Sequence, residues 1–93
     1  MKPVFWANGE AICDVENCIV IEGAYADLGG GVRGLKGQDQ CSFGVPFSAA
    51  VALDADRHSL QFADRTRDLL ILRSRDDGSG FRVSGLLQGP VQR

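Results

Sequence analysis

The sequence predicts an all-β or β-rich α+β domain: a small antiparallel sandwich or barrel of about six to eight short strands, with at most one short helix. Three observations lead to this fold class. Turn-forming residues recur at intervals of roughly eight to twelve positions, apolar and polar residues alternate between several of these turns, and Asn8-Gly9 separates two apolar runs.

The composition describes one globular domain with no room for a second. The chain has 93 residues, of which 44% are hydrophobic and 24% charged, and its net charge is −2. This balance argues against a protein built around the nucleic-acid backbone, which needs a basic excess. We expect residues 1–88 to form the domain and residues 89–93 to form a frayed tail.

The sequence predicts neither an export signal nor a membrane span. The apolar run Val4–Ala7 is shorter than a signal-peptide core, and Leu69–Leu72 is far shorter than a membrane span. Three cysteines, an odd number, suit a reducing compartment better than a disulfide framework. We therefore expect a cytoplasmic protein that makes no membrane contact.

The first quarter of the chain is expected to form a hairpin and then a buried strand. Asn-Gly is a strong hairpin signal because both residues tolerate positive φ, so Ala7 should pair with Glu10. Cys18–Ile21 is rich in β-branched residues and is typical of a strand buried on both faces. Residues 24–26 could extend this strand.

The middle of the chain gives weaker signals. Residues 38–44 are ambiguous, and Val45 is biased to extended geometry because Pro46 follows it. The odd positions within residues 47–53 could line one face of a strand, and residues 59–63 alternate as a short strand does. If the chain contains a helix, we expect it between residues 54 and 68.

The last segment is expected to form a second hairpin. Residues 64–75 allow a helix or a strand, but the apolar residues Leu69–Leu72 are bunched rather than spread at helical spacing. This favours a strand over residues 68–75. Residues 76–80 then turn the chain, and residues 81–87 return antiparallel.

The arginines of this hairpin are the candidate binding surface. An even-numbered loop places Arg73, Arg75 and Arg82 on one face. The other face would then carry the apolar side chains Leu70, Leu72, Phe81 and Val83. Like charges side by side destabilise a sheet, so the arginines indicate a partner carboxylate or phosphate. Surface charge runs more often form a solvated outer face, here neutralised by the nearby aspartates Asp64, Asp68, Asp76 and Asp77, and the charge pattern alone favours that interpretation.

A glycine-rich segment, DLGGGVRGLKG at residues 27–37, formally matches the phosphate-binding pattern GxGxxG. That fingerprint requires a helix directly after the glycines, and here another glycine stands where the first helical turns should be. We therefore expect a flexible surface loop and no bound cofactor. The residues of this loop are Gly29, Gly30, Gly31, Arg33, Gly34, Lys36 and Gly37.

Cysteine and histidine residues offer two further kinds of site. Cys13, Cys18, Cys41 and His58 are the ligand types of a Cys3His zinc site, but their spacing lacks the tight pair of structural zinc sites. We expect free thiols and no metal. Cys41 and His58 could also act as nucleophile and base, although nothing around Cys41 predicts a lowered pKa for its thiol.

These observations favour a small non-enzymatic protein that binds another protein, such as an inhibitor, an immunity-type protein or an accessory protein of a bacterium or mobile element. It would bind through a sheet face or edge, and an edge strand could also form a homodimer. The alternative is a small-barrel nucleic-acid-binding module using exposed aromatic rings, for which Trp6, Tyr25, Phe43 and Phe47 are available. A small enzyme that depends on Cys41 and His58 is the third hypothesis.

Overall fold

Residues 2–22 and 39–88 are described by a computed structural model. They form one antiparallel sheet of seven strands and one short helical segment. The strands are β1 (Val4–Ala7), β2 (Glu10–Asp14), β3 (Glu16–Ile21), β4 (Asp39–Val45), β5 (His58–Gln61), β6 (Thr66–Asp76) and β7 (Phe81–Leu87). The predicted small antiparallel β fold is confirmed.

The sheet is curled like half of a barrel, with the strand order β2-β1-β5-β6-β7-β4-β3. Its two edges, β2 and β3, are separated in sequence by Val15 alone. Val15 is buried, and its N–H donates to the carbonyl oxygen of Pro3 at 2.9 Å. Lys2 Nζ lies 2.7 Å from Glu16 Oε2. The residues before β1 therefore contact the corner at which the two edges meet.

The first hairpin is the one that Asn8-Gly9 predicts. Asn8 and Gly9 have φ angles of 50° and 81°, the positive values that a tight two-residue turn requires. Ala7 pairs with Glu10, as expected. The tight turn leaves the other side of β1 free to pair with β5.

The core lies on the inner face of the curl. The largest fully buried side chains are those of Phe5, Phe43, Leu60, Leu87, Val15 and Val83. The rings of Phe5 and Phe43 lie 5.8 Å apart, so β1 and β4 meet across the core although they are not neighbours in the sheet. Burying each such side chain stabilises the fold by about 1.5–3 kcal/mol relative to leaving it exposed.

A buried ion pair lies on the same inner face. Arg67 Nη1 is 2.6 Å from Asp39 Oδ2, and the two side chains are only 11% and 12% exposed. Arg67 Nη2 also donates to the carbonyl oxygen of Leu87 at 3.4 Å. Because both charges have lost most of their water, removing either one would leave the other poorly compensated.

The helical segment lies elsewhere than predicted. A 3-10 turn at Phe47–Ala49 continues into one α-helical turn, α1 (Ala50–Leu53), where the sequence analysis placed a strand. The run of alanines in this segment has high helix propensity. It carries the chain from β4 to β5, and Ala49 is buried against the core. Residues 54–68, expected to hold the helix, instead contain β5 and the start of β6.

The expectation for Cys18–Ile21 was also wrong. β3 is an edge strand with one buried face, because Cys18 and Val20 pack against the core whereas Ile19 and Ile21 are each 55% exposed. A β-branched run fits a half-buried pleated strand as well as a fully buried one, so the composition could not distinguish the two.

The remaining segments agree with the sequence. The ambiguous residues 38–44 largely coincide with β4, and the predicted strand at residues 68–75 lies within the longer β6. The expected tail at residues 89–93 and the strand extension at residues 24–26 lie outside the described residues. Within residues 2–22 and 39–88, no helix has the length and apolar character needed to cross a bilayer.

Candidate functional site

The outer face of the sheet carries a concentration of exposed aliphatic side chains. Ile19 and Ile21 on β3 are each 55% exposed, and Leu70 and Leu72 on β6 are 50% and 59% exposed. Together they are four of the six large hydrophobic side chains that are exposed in the described part of the chain. Scattered exposed residues are normal in a soluble protein, but residues gathered on one face indicate an interaction surface.

A β-bulge in β6 places the two leucines and Arg73 on the same outer face. Ile71 pairs with Gly85 and Arg73 pairs with Ser84, so Leu72 is an extra residue without a partner on β7. Leu70 pairs with Leu86 on the outer face. This corrects the prediction that Leu70 and Leu72 would share the core face with the apolar residues of β7.

Three of the exposed aliphatics form the two walls of a shallow groove of about 220 Å³. One wall is Ile19 and Ile21 on β3, and the other is Leu72 on β6, with the exposed Leu70 further along the same strand. The floor is made by β4 and β7, where Ser42 pairs with Ser84. We call this surface the aliphatic groove: the walls Ile19, Ile21 and Leu72, and the floor Gln40, Ser42 and Ser84.

Arg82 stands at one end of the groove, where it is fixed by two hydrogen bonds. Its Nε donates to Ser42 Oγ at 2.9 Å, and its Nη2 donates to the carbonyl oxygen of Asn17 at 3.0 Å. Asn17 has a positive φ of 49° and lies in an irregularity of β3. Arg82 thus connects β7 to the edge strand β3 across β4. This residue, which the sequence predicted to contact a partner, therefore has a structural role.

Arg73 and Arg75 are exposed beside Arg82. The hairpin loop is even-numbered, since Asp76 pairs with Phe81, and the register places Arg75 directly opposite Arg82. Within the described residues, neither Arg73 nor Arg75 forms an ion pair or a side-chain hydrogen bond. Their role in binding a partner stays a prediction.

Three of the four aspartates that could have neutralised these arginines have other contacts. Asp76 Oδ1 accepts the N–H of Gly78 at 2.8 Å, and Asp77 Oδ1 accepts the N–H of Ser79 at 3.0 Å. The second bond, together with the Ser79 hydroxyl, lowers the pKa of Asp77 below its usual value. Asp64 lies 3.9 Å from its neighbour Arg65. Two of these carboxylates therefore stabilise the turn and leave the guanidinium groups to solvent.

Cys41 and His58 have separate structural environments. Burial, with Cys18 nearby, raises the pKa of the Cys41 thiol to about 12, so the nucleophilic thiolate is scarce at neutral pH. His58 Nε2 donates to the carbonyl oxygen of Ala52 at 2.8 Å, and its ring stacks on Phe5 at 5.5 Å. Their strands, β4 and β5, are separated in the sheet by β6 and β7.

The three cysteines, Cys13, Cys18 and Cys41, are free thiols. In residues 2–22 and 39–88, no three side chains of His, Cys, Asp or Glu are grouped so that they could hold a metal ion. The glycine-rich residues Gly29, Gly30, Gly31, Arg33, Gly34, Lys36 and Gly37 lie outside the described residues.

Two of the aromatic residues named for nucleic-acid binding, Trp6 and Phe43, lie away from the arginines. Phe43 is fully buried, and Phe47 packs edge-on against Phe81 with ring centroids 5.3 Å apart. Trp6 donates from Nε1 to Gln61 Oε1 at 3.0 Å on β1, which β5 separates from β6. Tyr25 is outside the described residues.

The walls of the aliphatic groove were not recognised from sequence, although a signal existed. Leu69–Leu72 places four apolar residues in succession, and a strand alternates its side chains between two faces. A strand with one buried face cannot bury all four. Ile19 and Ile21 alternate with Cys18 and Val20 in the same way.

Comparisons with protein-family models, with curated proteins and with solved structures return no match. The function must therefore be argued from this surface and its chemistry.

Proposed function

We propose that this protein is a non-enzymatic binding module that uses the aliphatic groove and the adjacent arginines to hold another protein. The observation that supports the proposal is the concentration of exposed Ile19, Ile21, Leu70 and Leu72 on one face, beside two arginines that form no ion pair within residues 2–22 and 39–88. The complementary partner surface would be apolar at its centre and would carry carboxylates at one side.

The free energy gained by covering the exposed aliphatic side chains favours a bound partner over a face left in water. Covering a half-exposed aliphatic side chain contributes on the order of 1 kcal/mol, so four of them contribute several kcal/mol toward association. Part of this gain is lost to the entropy of association and to desolvation of neighbouring polar groups. Carboxylate contacts to Arg73 and Arg75 would add to the association rate and to specificity.

An inhibitor, an immunity-type protein or an accessory protein would work in this way, because each acts by occupying a surface of another protein. A cytoplasmic location belongs to the same proposal. It is supported by the three free cysteines Cys13, Cys18 and Cys41.

The proposal is tested by capturing partners from the native host with the wild-type protein and with two variants. Ile19→Ser/Leu72→Ser removes one side chain from each wall. Val51→Ser is the matched control, because Val51 is 85% exposed on the helical segment and is not a groove residue. We expect the double variant to lose the captured protein and the control to retain it.

A charge-reversal variant tests the contribution of the arginines. Arg73→Glu/Arg75→Glu should slow association and weaken its dependence on salt. Arg65→Glu serves as its control, since Arg65 is an exposed arginine outside the groove. If the groove variants capture the same proteins as the wild type with unchanged kinetics, the proposed function is wrong.

A further inference from the structure

We propose that the element seated in the aliphatic groove is an amphipathic α-helix of the partner, with acidic side chains at the end that faces Arg73 and Arg75. This inference rests on the proposed function and specifies the shape and chemistry of the ligand. Three properties of the groove support it: the hydrogen-bonding state of its floor, its dimensions and its charge.

The floor offers no backbone groups to an extended peptide. β4 pairs with β3 and β7, and β7 pairs with β4 and β6, so the ladder groups of both floor strands are used within the sheet. A peptide lying across this face in extended form would have its own N–H and C=O groups covered without partners. A helix satisfies its backbone internally and can present side chains alone.

The dimensions of the groove match a helix. The walls on β3 and β6 are three strand spacings apart, which is about 14 Å between backbones. A helix with its side chains is about 10–12 Å in diameter. The short side chains of Ser42 and Ser84 between the walls leave space for the apolar side chains of such a helix.

The length of the groove along β7 predicts the spacing of apolar residues in the ligand helix. From Leu86 to Arg82, β7 covers five residues, and the four steps between them span about 14 Å along the strand. An apolar stripe at positions i, i+3 or i+4, and i+7 spans about 10 Å of helix axis. The stripe would therefore contact both walls, and the next turn would reach the arginines.

The positive charge beside the groove predicts acidic residues at one end of the ligand helix. Arg75 and Arg82 are cross-strand partners, and Arg73 lies two residues from Arg75 on the same face. Arg82 is held by Ser42 and Asn17, whereas Arg73 and Arg75 extend to solvent. Asp or Glu side chains one turn beyond the apolar stripe would offer these guanidinium groups carboxylates, which the described part of the chain does not supply.

The test is selection from two displayed peptide libraries with the full-length protein as bait. One library is built on a helix-forming scaffold with one randomised face, and the other contains linear random peptides. We expect enrichment from the helical library, with apolar residues at i, i+3 or i+4, and i+7 and with Asp or Glu one turn further. Enrichment of linear peptides with alternating apolar residues, or no enrichment of helical ones, would overturn the inference.

Groove variants locate the binding site of the enriched peptide. Leu72→Ser and Ile19→Ser, on different strands, should each weaken its binding about tenfold or more, and Val51→Ser should leave it unchanged. Chemical-shift mapping on the wild-type protein gives the same information if a variant folds poorly. Shifts outside the groove would contradict the inference.

Two outcomes separate this inference from the proposed function. If a native partner depends on the groove but helical peptides do not bind, the helix is wrong and the protein-binding function stands. Sedimentation of the wild type and of Ile19→Ser tests a second copy of the chain as the occupant. A wild-type dimer that becomes a monomer in the variant would show that this chain covers its own groove, against both proposals.

Discussion

Two glycines on neighbouring strands have very different surroundings. A Cβ atom on Gly85 of β7 would overlap the backbone carbonyl oxygen of Leu70 and would lie 3.0 Å from Leu69 Cδ1. A Cβ atom on Gly44 of β4 would meet its nearest neighbour, the carbonyl oxygen of Glu16, at 3.6 Å. The first glycine is required by close contact with β6, and the second is not.

Gly85→Ala should therefore destabilise the protein, and Gly44→Ala should have little effect. We expect a loss of about 1–3 kcal/mol or more at Gly85, because the obstructing atom belongs to a backbone that must shift. At Gly44 the change should stay within about 0.5 kcal/mol. Urea denaturation of the two variants measures the difference, and equal stabilities would show that β6 moves aside freely.

The buried ion pair could not be predicted from the sequence. Arg67 and Asp39 are 28 positions apart, and nothing in the composition links them. Only the spatial order of β4, β7 and β6 brings them together on the inner face. Arg82 is a similar case, since its bonds to Ser42 and Asn17 depend on which strands lie beside β7.

At the scale of the element, the bulge at Leu72 decides which side chains of β6 lie on the outer face of the sheet. Before the bulge, Leu69 and Ile71 face the core, and after it Arg73 faces outward. One extra residue therefore places apolar and basic side chains on the same outer face. A regular strand would have put either Leu70 or Arg73 inside.

Deleting Leu72 should leave the fold intact, which is unusual for a deletion within a strand. Every pair between β6 and β7 would remain, because Leu72 is the unpaired residue. Deleting Ser84 from β7 is the control: it would shift Phe81 and Val83 out of register with both neighbouring strands and should unfold the protein. Circular dichroism and thermal denaturation of the two deletion variants measure the difference. A Leu72 deletion as damaging as the Ser84 deletion would contradict the assigned bulge.

Local signals in the sequence predicted the elements whose geometry is fixed by a few adjacent residues. Asn8-Gly9 determines the first hairpin because positive φ is needed at both positions, and Asp76–Gly80 likewise marks the last turn. The helical turn at Phe47–Ala49 and the edge position of β3 were missed. They depend on the long crossover from β4 to β5 and on the absence of a further strand beside β3 within the described residues.

For the whole molecule, the buried thiols connect stability to alkaline pH. Burial raises the pKa of Cys41 from 9.0 to about 12, and it raises the pKa of Cys13 and Cys18 as well. Above pH 9 the unfolded chain therefore loses thiol protons that the folded chain retains. The unfolded state then binds fewer protons, so the free energy of unfolding falls as pH rises.

The expected outcome is a thiol contribution that is constant below about pH 8 and that reduces stability between pH 9 and pH 12. Cys41 alone accounts for a slope of at most about 1.4 kcal/mol per pH unit. Cys41→Ala should have a shallower slope in this range, even though the cavity lowers its stability at every pH. Denaturation midpoints measured from pH 7 to pH 11 test this, and parallel curves for the two proteins would contradict the raised pKa.

The single-residue connection at Val15 affects how the edges of this sheet can unfold. In pairing order β2 and β3 are opposite rims of the sheet, yet one residue joins them in the chain. Peeling either rim from its partner therefore pulls on the other, and both must release the buried Val15 side chain. Exchange of one rim strand between two molecules would have to free both rims at once. We therefore expect the two rims to open together, which should disfavour domain swapping and strand-by-strand aggregation.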